Sequence, residues 1–452
     1  MLASWVHLFA AEGILNVRDH GAKGDRTAND QTAIQSAIDA CARAGGGTVL
    51  FPQGDFVSGT LRLASGVTLH LEDGATLWGS TNRSDYPAGV SHLLVADNAR
   101  RVSLTGRGVI NGQAAGDYGN RWGVPAKPAF RTGILLFTDC QDVSVSGVTI
   151  LNSDAWTLHF KRCDGLTIND VTIRNNYRRL NSDGIDPNMC RNVRIARCRI
   201  SAGDDCIVLK TTEARPCENV FVSDCVLESA SSALKLGTES HGDFRNIRFV
   251  NCVISNSPTG IGFYLKDGAT MENVVASNIV IKSSADTRRV VTPVFMDIER
   301  RHADSKIGWI RDINFERLDI TSGSGVLVQG MPERPIQRLR FRDVRLRVPR
   351  ADDYASRSKP VGGRRTTRDE RDTLFAREPS YFTVAHVREL AVENLRVEIE
   401  PAAFRQFDRS AFCGRHLDGA KLVNLRRSPE PQERGRPIVD LKDCRQVDVR
   451  DR

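Results

Sequence analysis

The sequence predicts an all-β fold, a parallel β-solenoid whose open N-terminal end is covered by an α-helix. Three observations carry this prediction: an eight-residue pattern that recurs nine times, the alternation of apolar side chains within it, and a helical segment that precedes the repeats.

The pattern is apolar, any, apolar, two polar, apolar, any, apolar. It appears as VSVSGVTI at Val143, LTINDVTI at Leu166, VRIARCRI at Val193, VFVSDCVL at Val220 and IRFVNCVI at Ile247, then as VVASNIVI at Val274, INFERLDI at Ile313, LRFRDVRL at Leu339 and LAVENLRV at Leu390. Its sixth position falls at Val148, Val171, Cys198, Cys225, Cys252, Ile279, Leu318, Val344 and Leu395, at spacings of 23, 27, 27, 27, 27, 39, 26 and 51. Self-similarity at such a period means that each unit is one coil, unable to bury its apolar face until others stack on it. Alternating Val and Ile bounded by polar residues read as short strands with one buried face. The intervals of 39 and 51 mark loops inserted between coils, the longer holding the charged segment Arg350 to Arg377, which reads as a solvated insertion.

The N-terminal segment has another texture. A Gly- and Asp-rich loop leads into Thr32 to Ala44, where Ala33, Ile34, Ala37, Ile38 and Cys41 follow helical spacing behind Asn29 or Asp30 as N-cap. Gly45, Gly46 and Gly47 end it. An amphipathic helix placed there covers strand edges that a solenoid otherwise exposes. Residues 16–452 are expected to form one domain. Met1 to Ala11 is apolar and ends on small residues, as a clipped leader does, but carries no Lys or Arg before its apolar part; a mis-set start or a buried first strand is the alternative.

Composition excludes other classes. With 40% hydrophobic and 26% charged residues the chain is neither disordered nor collagenous, and no stretch reaches the roughly 18–20 apolar residues of a membrane span. Lys and Arg exceed Asp and Glu by 63 to 55, a balance that suits a polyanionic partner without naming it. Eleven cysteines, an odd number, cannot all pair within the chain. Cys198, Cys225 and Cys252 share one repeat position and should stack as free core thiols, because side chains in register do not present the dihedral a disulfide needs. No CxxC pair occurs and the histidines are scattered, so neither a metal nor a cofactor is expected.

Two motifs carry the chemistry: NSDGIDP at Asn181 to Pro187 and GDDCIVLK at Gly203 to Lys210. The 21-residue offset between Asp183 and Asp204 is close to one coil and would stack them. Asp183, Asp204 and Asp205 in one place could supply the protonated carboxyl and the carboxylate that glycosidic cleavage by inversion requires, with mutual repulsion raising at least one pKa. The competing role is turn capping, preferred here for Asp186. Asp204 and Asp205 can serve one site only at a bend, which Gly203 would ease.

With the opening NVRDHGAKGD and GGGTVLFPQGDF, these motifs resemble those of glycoside hydrolase family 28, the polygalacturonases and rhamnogalacturonases, over most of the chain. The resemblance implies a right-handed β-helix, an acidic pectic polysaccharide as partner, secretion or a periplasmic location, and no role for nucleic acid or membrane; a monomer is expected. It makes Asp204 the general acid, Asp183 with Asp205 the pair that holds and deprotonates water, and Asn181 a polar neighbour. Two family motifs are broken: Ser231-Ser232-Ala233 stands where Gly-His-Gly is usual, and Tyr264-Leu265-Lys266 where Arg-Ile-Lys is usual. An arginine fork grips a carboxylate in a way tyrosine cannot, and a different sugar at the cleavage point would remove that need. Lys266, then Lys235, are the first candidates to hold substrate, followed by Lys210, Arg179 and Arg178, with His241 outside the motif. Trp122 and Tyr118 could form a sugar platform, and Trp156 and His159 could floor the cleft or simply pack. A lyase using Ca²⁺ and a basic residue, and a non-catalytic carbohydrate-binding solenoid, are the alternatives.

Overall fold

The computed structural model describes residues 13–119, 123–124, 130–284, 291–352, 380–430 and 435–451. The leader segment, Trp122 and most of the Arg350 to Arg377 insertion lie outside them.

Every coil pairs in parallel with the next, and three strand series wind around one core. The eight-residue pattern supplies two of them. Its first apolar pair lies in strands such as Asp164–Asn169 and Arg191–Ala196; of its second pair, Val171 and Cys198 stand just before the strands Thr172–Arg174 and Arg199–Ala202, which hold Ile173 and Ile200. The two polar positions between them make the corner, whose second residue is left-handed: Asp170 at φ 56°, Asp224 at 58°, Asn251 at 57°. Short polar side chains tolerate that conformation better than others, and for this reason the pattern holds polar residues there. The third series, Leu158–Lys161, Ile185–Asn188, Ile207–Thr211, Ser232–Ser240, Thr259–Leu265 and Thr292–Ile298, carries the residues of interest.

The register is the one the repeat predicts, even across the long intervals: Ile279 pairs with Leu318, Leu318 with Val344, and Val344 with Leu395. The strands on either side of each long interval are in phase. The N-terminal helix runs Gln31–Arg43 and buries Ile34, Ala37, Ile38 and Cys41. Asp30 stands at its N-cap position but does not cap it; its carboxylate accepts from the Lys23 and Gly24 N–H groups at 2.7 and 3.0 Å, while Asn29 Oδ1 accepts from Gln31 N–H at 3.0 Å. A short helix at Pro401–Gln406 had no signal in the repeat.

All eleven cysteines are free thiols. Beside Cys198, Cys225 and Cys252, a second ladder of Cys140, Cys163, Cys190 and Cys217 stands at the start of the first series, just before the strand for the first three and as the first residue of Cys217–Ser223 for the last. On the outer surface Asn192, Asn219, Asn246 and Asn273 stack likewise, each amide donating to the carbonyl oxygen of the one before at 3.2, 2.9 and 2.7 Å.

Candidate active site

Two corner loops, 175–184 and 203–206, deliver the aspartates to the edge of the third series. Ile185 pairs with Ile207, and Gly184 N–H donates to the Asp205 carbonyl at 2.9 Å. The partner of Asp183 across the ladder is therefore Asp205, and the expected stacking of Asp183 on Asp204 is off by one residue. Asp204 sits one position earlier, on the bend, where its Oδ2 accepts the Asn181 N–H at 3.1 Å. Its carbonyl accepts from Ser229 Oγ at 2.5 Å. Gly203 matters here for close approach: a Cβ would stand 2.2 Å from the Arg179 carbonyl oxygen and 2.5 Å from that of Asn176. Both aspartates can then face one space, because the chain turns between them.

Asp186 departs from the expected turn capping. It lies within the strand Ile185–Asn188, level with His159 of the preceding coil, and is fully buried. Neither of its oxygens accepts a hydrogen bond; Lys210 Nζ is 4.0 Å from it and 3.9 Å from Asp183. Burial is the main cause that pushes the carboxyls of Asp183 and Asp186 well above the usual range; neighbouring aspartates add to it, Asp186 itself for Asp183, and Lys210 opposes it for both. Burial disfavours the Lys210 ammonium, but Asp183, Glu239 and Asp186 outweigh that and hold its pKa above normal.

The remaining candidates divide by what they touch. Lys235 Nζ donates to Asp205 Oδ2 at 2.7 Å and lies 5.2 Å from the Tyr264 ring centre. Ser232, at the position of the missing histidine, donates its N–H to the other Asp205 oxygen at 3.1 Å. Tyr264 packs at a tilt of 34° against Phe295, with ring centres 4.8 Å apart. Lys266 is turned to Asp297, at 3.4 Å, and to Glu299. Arg179 is buried against Asp154 at 2.6 Å and the Gly116 carbonyl, so it braces the loop that presents Asn181. Arg178 is exposed on that loop. Tyr118 bridges to Arg179 and carries Arg131 over its ring at 5.0 Å. Trp156 meets His159 edge-on at 4.7 Å and lies under Lys210 at 4.5 Å; burial lowers the His159 pKa to about 3, keeping the ring neutral. His241 faces Asp267 at 3.8 Å.

Three groups at the site had no motif to point to them. Arg131 donates to Asp154 at 3.1 Å and to the Leu180 carbonyl at 2.7 Å. Arg301 forms a two-pronged pair with Asp267 at 2.7 and 2.8 Å and lies 3.6 Å from Glu239. Glu239, 3.3 Å from Lys210, is held at about 2: burial opposes its charge, but Lys210, Lys235 and Arg301 overcome it. Adding one 27-residue interval to the position of Lys210 would have directed attention to the coil that holds Glu239. Among the described residues no group of three or more His, Cys, Asp and Glu is arranged to hold a metal ion, and no helix is long and apolar enough to cross a membrane.

The model of glycosyl hydrolases family 28 matches residues 41–356. A probable polygalacturonase of Vitis vinifera is 31% identical over 213 residues, covering 43% of each chain. An exo-poly-alpha-D-galacturonosidase of Dickeya chrysanthemi is 27% identical over 255 residues, 44% of this chain and 42% of that one. The chain thus spans less than half the length of these relatives. Among solved structures, the Thermotoga maritima exopolygalacturonase superposes with a TM-score of 0.62 at 23% identity, over 75% of this chain and 87% of its own. The Yersinia enterocolitica family 28 exopolygalacturonase does so at 0.66 and 17% identity, over 97% and 79%. At these identities the likeness is one of fold, a pectinase-type parallel β-helix.

Proposed function

The chain belongs to glycosyl hydrolase family 28, and from that premise we propose that it hydrolyses glycosidic bonds of an acidic pectic polysaccharide or oligosaccharide with inversion at the anomeric carbon. The observation that carries this reading is the gathering of Asp183, Asp186, Asp204 and Asp205 on two adjacent coils, each at most 6% exposed. In the proposed sequence the Asp204 carboxyl protonates the oxygen of the departing sugar. Asp183 and Asp205 hold a water and take its proton as it attacks from the other face. A raised pKa makes Asp183 the stronger base once ionised, and the nearby Lys210 ammonium favours that ionised form. Lys235 and the Ser232 N–H fix both oxygens of Asp205, so its orientation is set before substrate arrives. Trp156, which is part-exposed, offers a ring to a sugar. Polysaccharide substrates place such an enzyme outside the cell or in the periplasm, acting as a monomer; the coil-to-coil pairing among the described residues supports one catalytic unit over residues 16–452.

A panel of pectic polysaccharides tests this. New reducing ends without absorbance from unsaturated uronides, lost by about 1,000-fold or more in Asp204→Asn, are the expected result. Unsaturated products that vanish with chelator would replace hydrolysis by a lyase reaction, and binding without turnover would leave a carbohydrate-binding solenoid.

A further inference from the structure

Resting on that hydrolytic reading, we propose that Glu239 is a positioning residue for the reaction: it holds the Lys210 ammonium just short of direct contact with Asp183, so that this base stays free to take the proton of water.

The strand that carries Glu239 is shaped to reach Lys210. Leu209 pairs with Leu236 and Thr211 with Ser240, so Lys210 alone on one coil stands opposite Gly237, Thr238 and Glu239 on the next. Extra residues in one strand bend it and re-aim a side chain beside a site. Both flanks of this bulge are fixed. Ser240 N–H donates to Asp267 Oδ2 at 2.9 Å, and Thr211 Oγ donates to the Glu239 carbonyl at 3.4 Å. The Glu239 carboxylate then spans two cations: Oε2 accepts from Lys210 Nζ at 3.3 Å, and Oε1 lies 3.6 Å from Arg301, which Asp267 holds from behind.

Lys210 is the cation nearest the base. Its Nζ lies 3.9 Å from Asp183 Oδ2 and 4.0 Å from Asp186 Oδ1, beyond hydrogen-bond reach of both, and 4.5 Å from the centre of the Trp156 ring. A charge-assisted bond closes at about 2.8 Å, so a movement of about 1 Å would carry Lys210 onto Asp183. Direct contact favours the ionised carboxylate and so makes Asp183 a weaker base. Glu239 draws Lys210 the other way, and among the described residues it is the one carboxylate within hydrogen-bond distance of that ammonium. The other groups around Asp183 are engaged or uncharged. Lys235 holds Asp205, Arg131 and Arg179 hold Asp154, and Asp204 accepts the Asn181 N–H. Burial keeps His159 and the Cys206 thiol neutral and raises Asp186 together with Asp183.

The test is a cycle of four proteins: wild type, Glu239→Gln, Lys210→Met and the double variant. Their pH profiles of kcat/KM are compared on a pectic substrate that wild type cleaves, with denaturant unfolding alongside. In Glu239→Gln, Lys210 settles on Asp183, so the acid limb should move to lower pH by about one unit or more and kcat should fall by about 10-fold or more. Lys210→Met should move the same limb to higher pH. The double variant should follow Lys210→Met, because Glu239 acts through Lys210. Glu239→Asp keeps the charge but shortens the reach; it should show the shift of Glu239→Gln at smaller size, and stands in for it if that variant does not fold. An acid limb that stays in place overturns the inference, whatever stability is lost, and so does a downward shift that persists in the Lys210→Met background. Titration of the aspartate carboxyls by carbon-13 NMR, with Asp183→Asn identifying the Asp183 signal, reads the same shifts without substrate. If wild type cleaves no pectic substrate, the hydrolytic reading falls, and the NMR titration still decides whether Glu239 holds Lys210 away from Asp183.

Discussion

Lys235 Nζ lies 2.7 Å from Asp205 Oδ2, with the two side chains 12% and 2% exposed, so this ion pair joins adjacent coils almost out of reach of water. Removing one partner of such a pair strands the other charge, at about 3–5 kcal/mol. Lys235→Met should therefore lower the unfolding midpoint and cut kcat by about 100-fold or more, since Asp205 loses the contact that aims it. Lys235→Met combined with Asp205→Asn should recover much of the stability but none of the activity. Denaturant unfolding alongside reducing-end assays of the three variants reads both effects.

Asp186 offers a pH test with a defined sign. Its carboxyl is raised well above 3.8, chiefly by burial, so the folded state holds its proton more tightly than the unfolded one. That contribution is fully present below pH about 3.8 and is lost as the pH rises through the folded-state value. Asp186→Asn keeps the shape and removes the penalty, so its advantage over wild type in thermal midpoint should be absent near pH 4 and grow, by something on the order of 1 kcal/mol, toward pH 8. Lys210 keeps Glu239 and Asp183 as partners in the variant. A constant or shrinking difference would mean that Lys210 needs Asp186 more than burial resists it.

How much of this could be read beforehand follows the geometry of a solenoid. Val148 through Leu395 hold the predicted register because each coil's apolar alternation is local in sequence. Asp183, Asp204 and Asp205 were legible because each sits in a short motif at a corner. Asp186 was misread since its surroundings come from His159 one coil earlier and Lys210 one coil later, and nothing within its own motif reports that it is buried. The four-rung ladder from Cys140 to Cys217 escaped notice because its position precedes the eight-residue pattern. The Glu239, Asp267 and Arg301 network joins residues on different coils, one of them on the far side of an insertion that disturbs the period.

Gly203→Ala should fail for a reason particular to this corner. The added methyl would stand 2.2 Å from the Arg179 carbonyl oxygen and 2.6 Å from Ser182 Oγ. Both belong to the loop that presents Asn181 and Asp183, so the strain must move one aspartate-bearing loop away from the other. A loss of about 1–3 kcal/mol is expected from overpacking, and activity should drop further than stability. Gly46→Ala, strained far from the aspartates against Gly66, is the control that should lose stability while keeping kcat.

The outer asparagine ladder separates two contributions that a single substitution would merge. Asn246 is left-handed at φ 56° and both donates to Asn219 and accepts from Asn273, at 2.9 and 2.7 Å. Asn246→Ala loses both bonds and must hold a Cβ in a conformation that costs about 1–2 kcal/mol. Asn246→Gly loses the same bonds without that cost, so the gap between the two variants reads the backbone contribution. Asn246→Asp keeps the acceptor for Asn273 but cannot donate to Asn219, and isolates one bond, worth about 0.5–1.5 kcal/mol. The expected order of stability is wild type, Asp, Gly, Ala, measured by denaturant unfolding at pH 7. Because the ladder lies on the first strand series, away from the aspartates, all three variants should retain wild-type kcat; a loss of activity in step with stability would mean that coil stacking on this face sets the spacing of the catalytic edge.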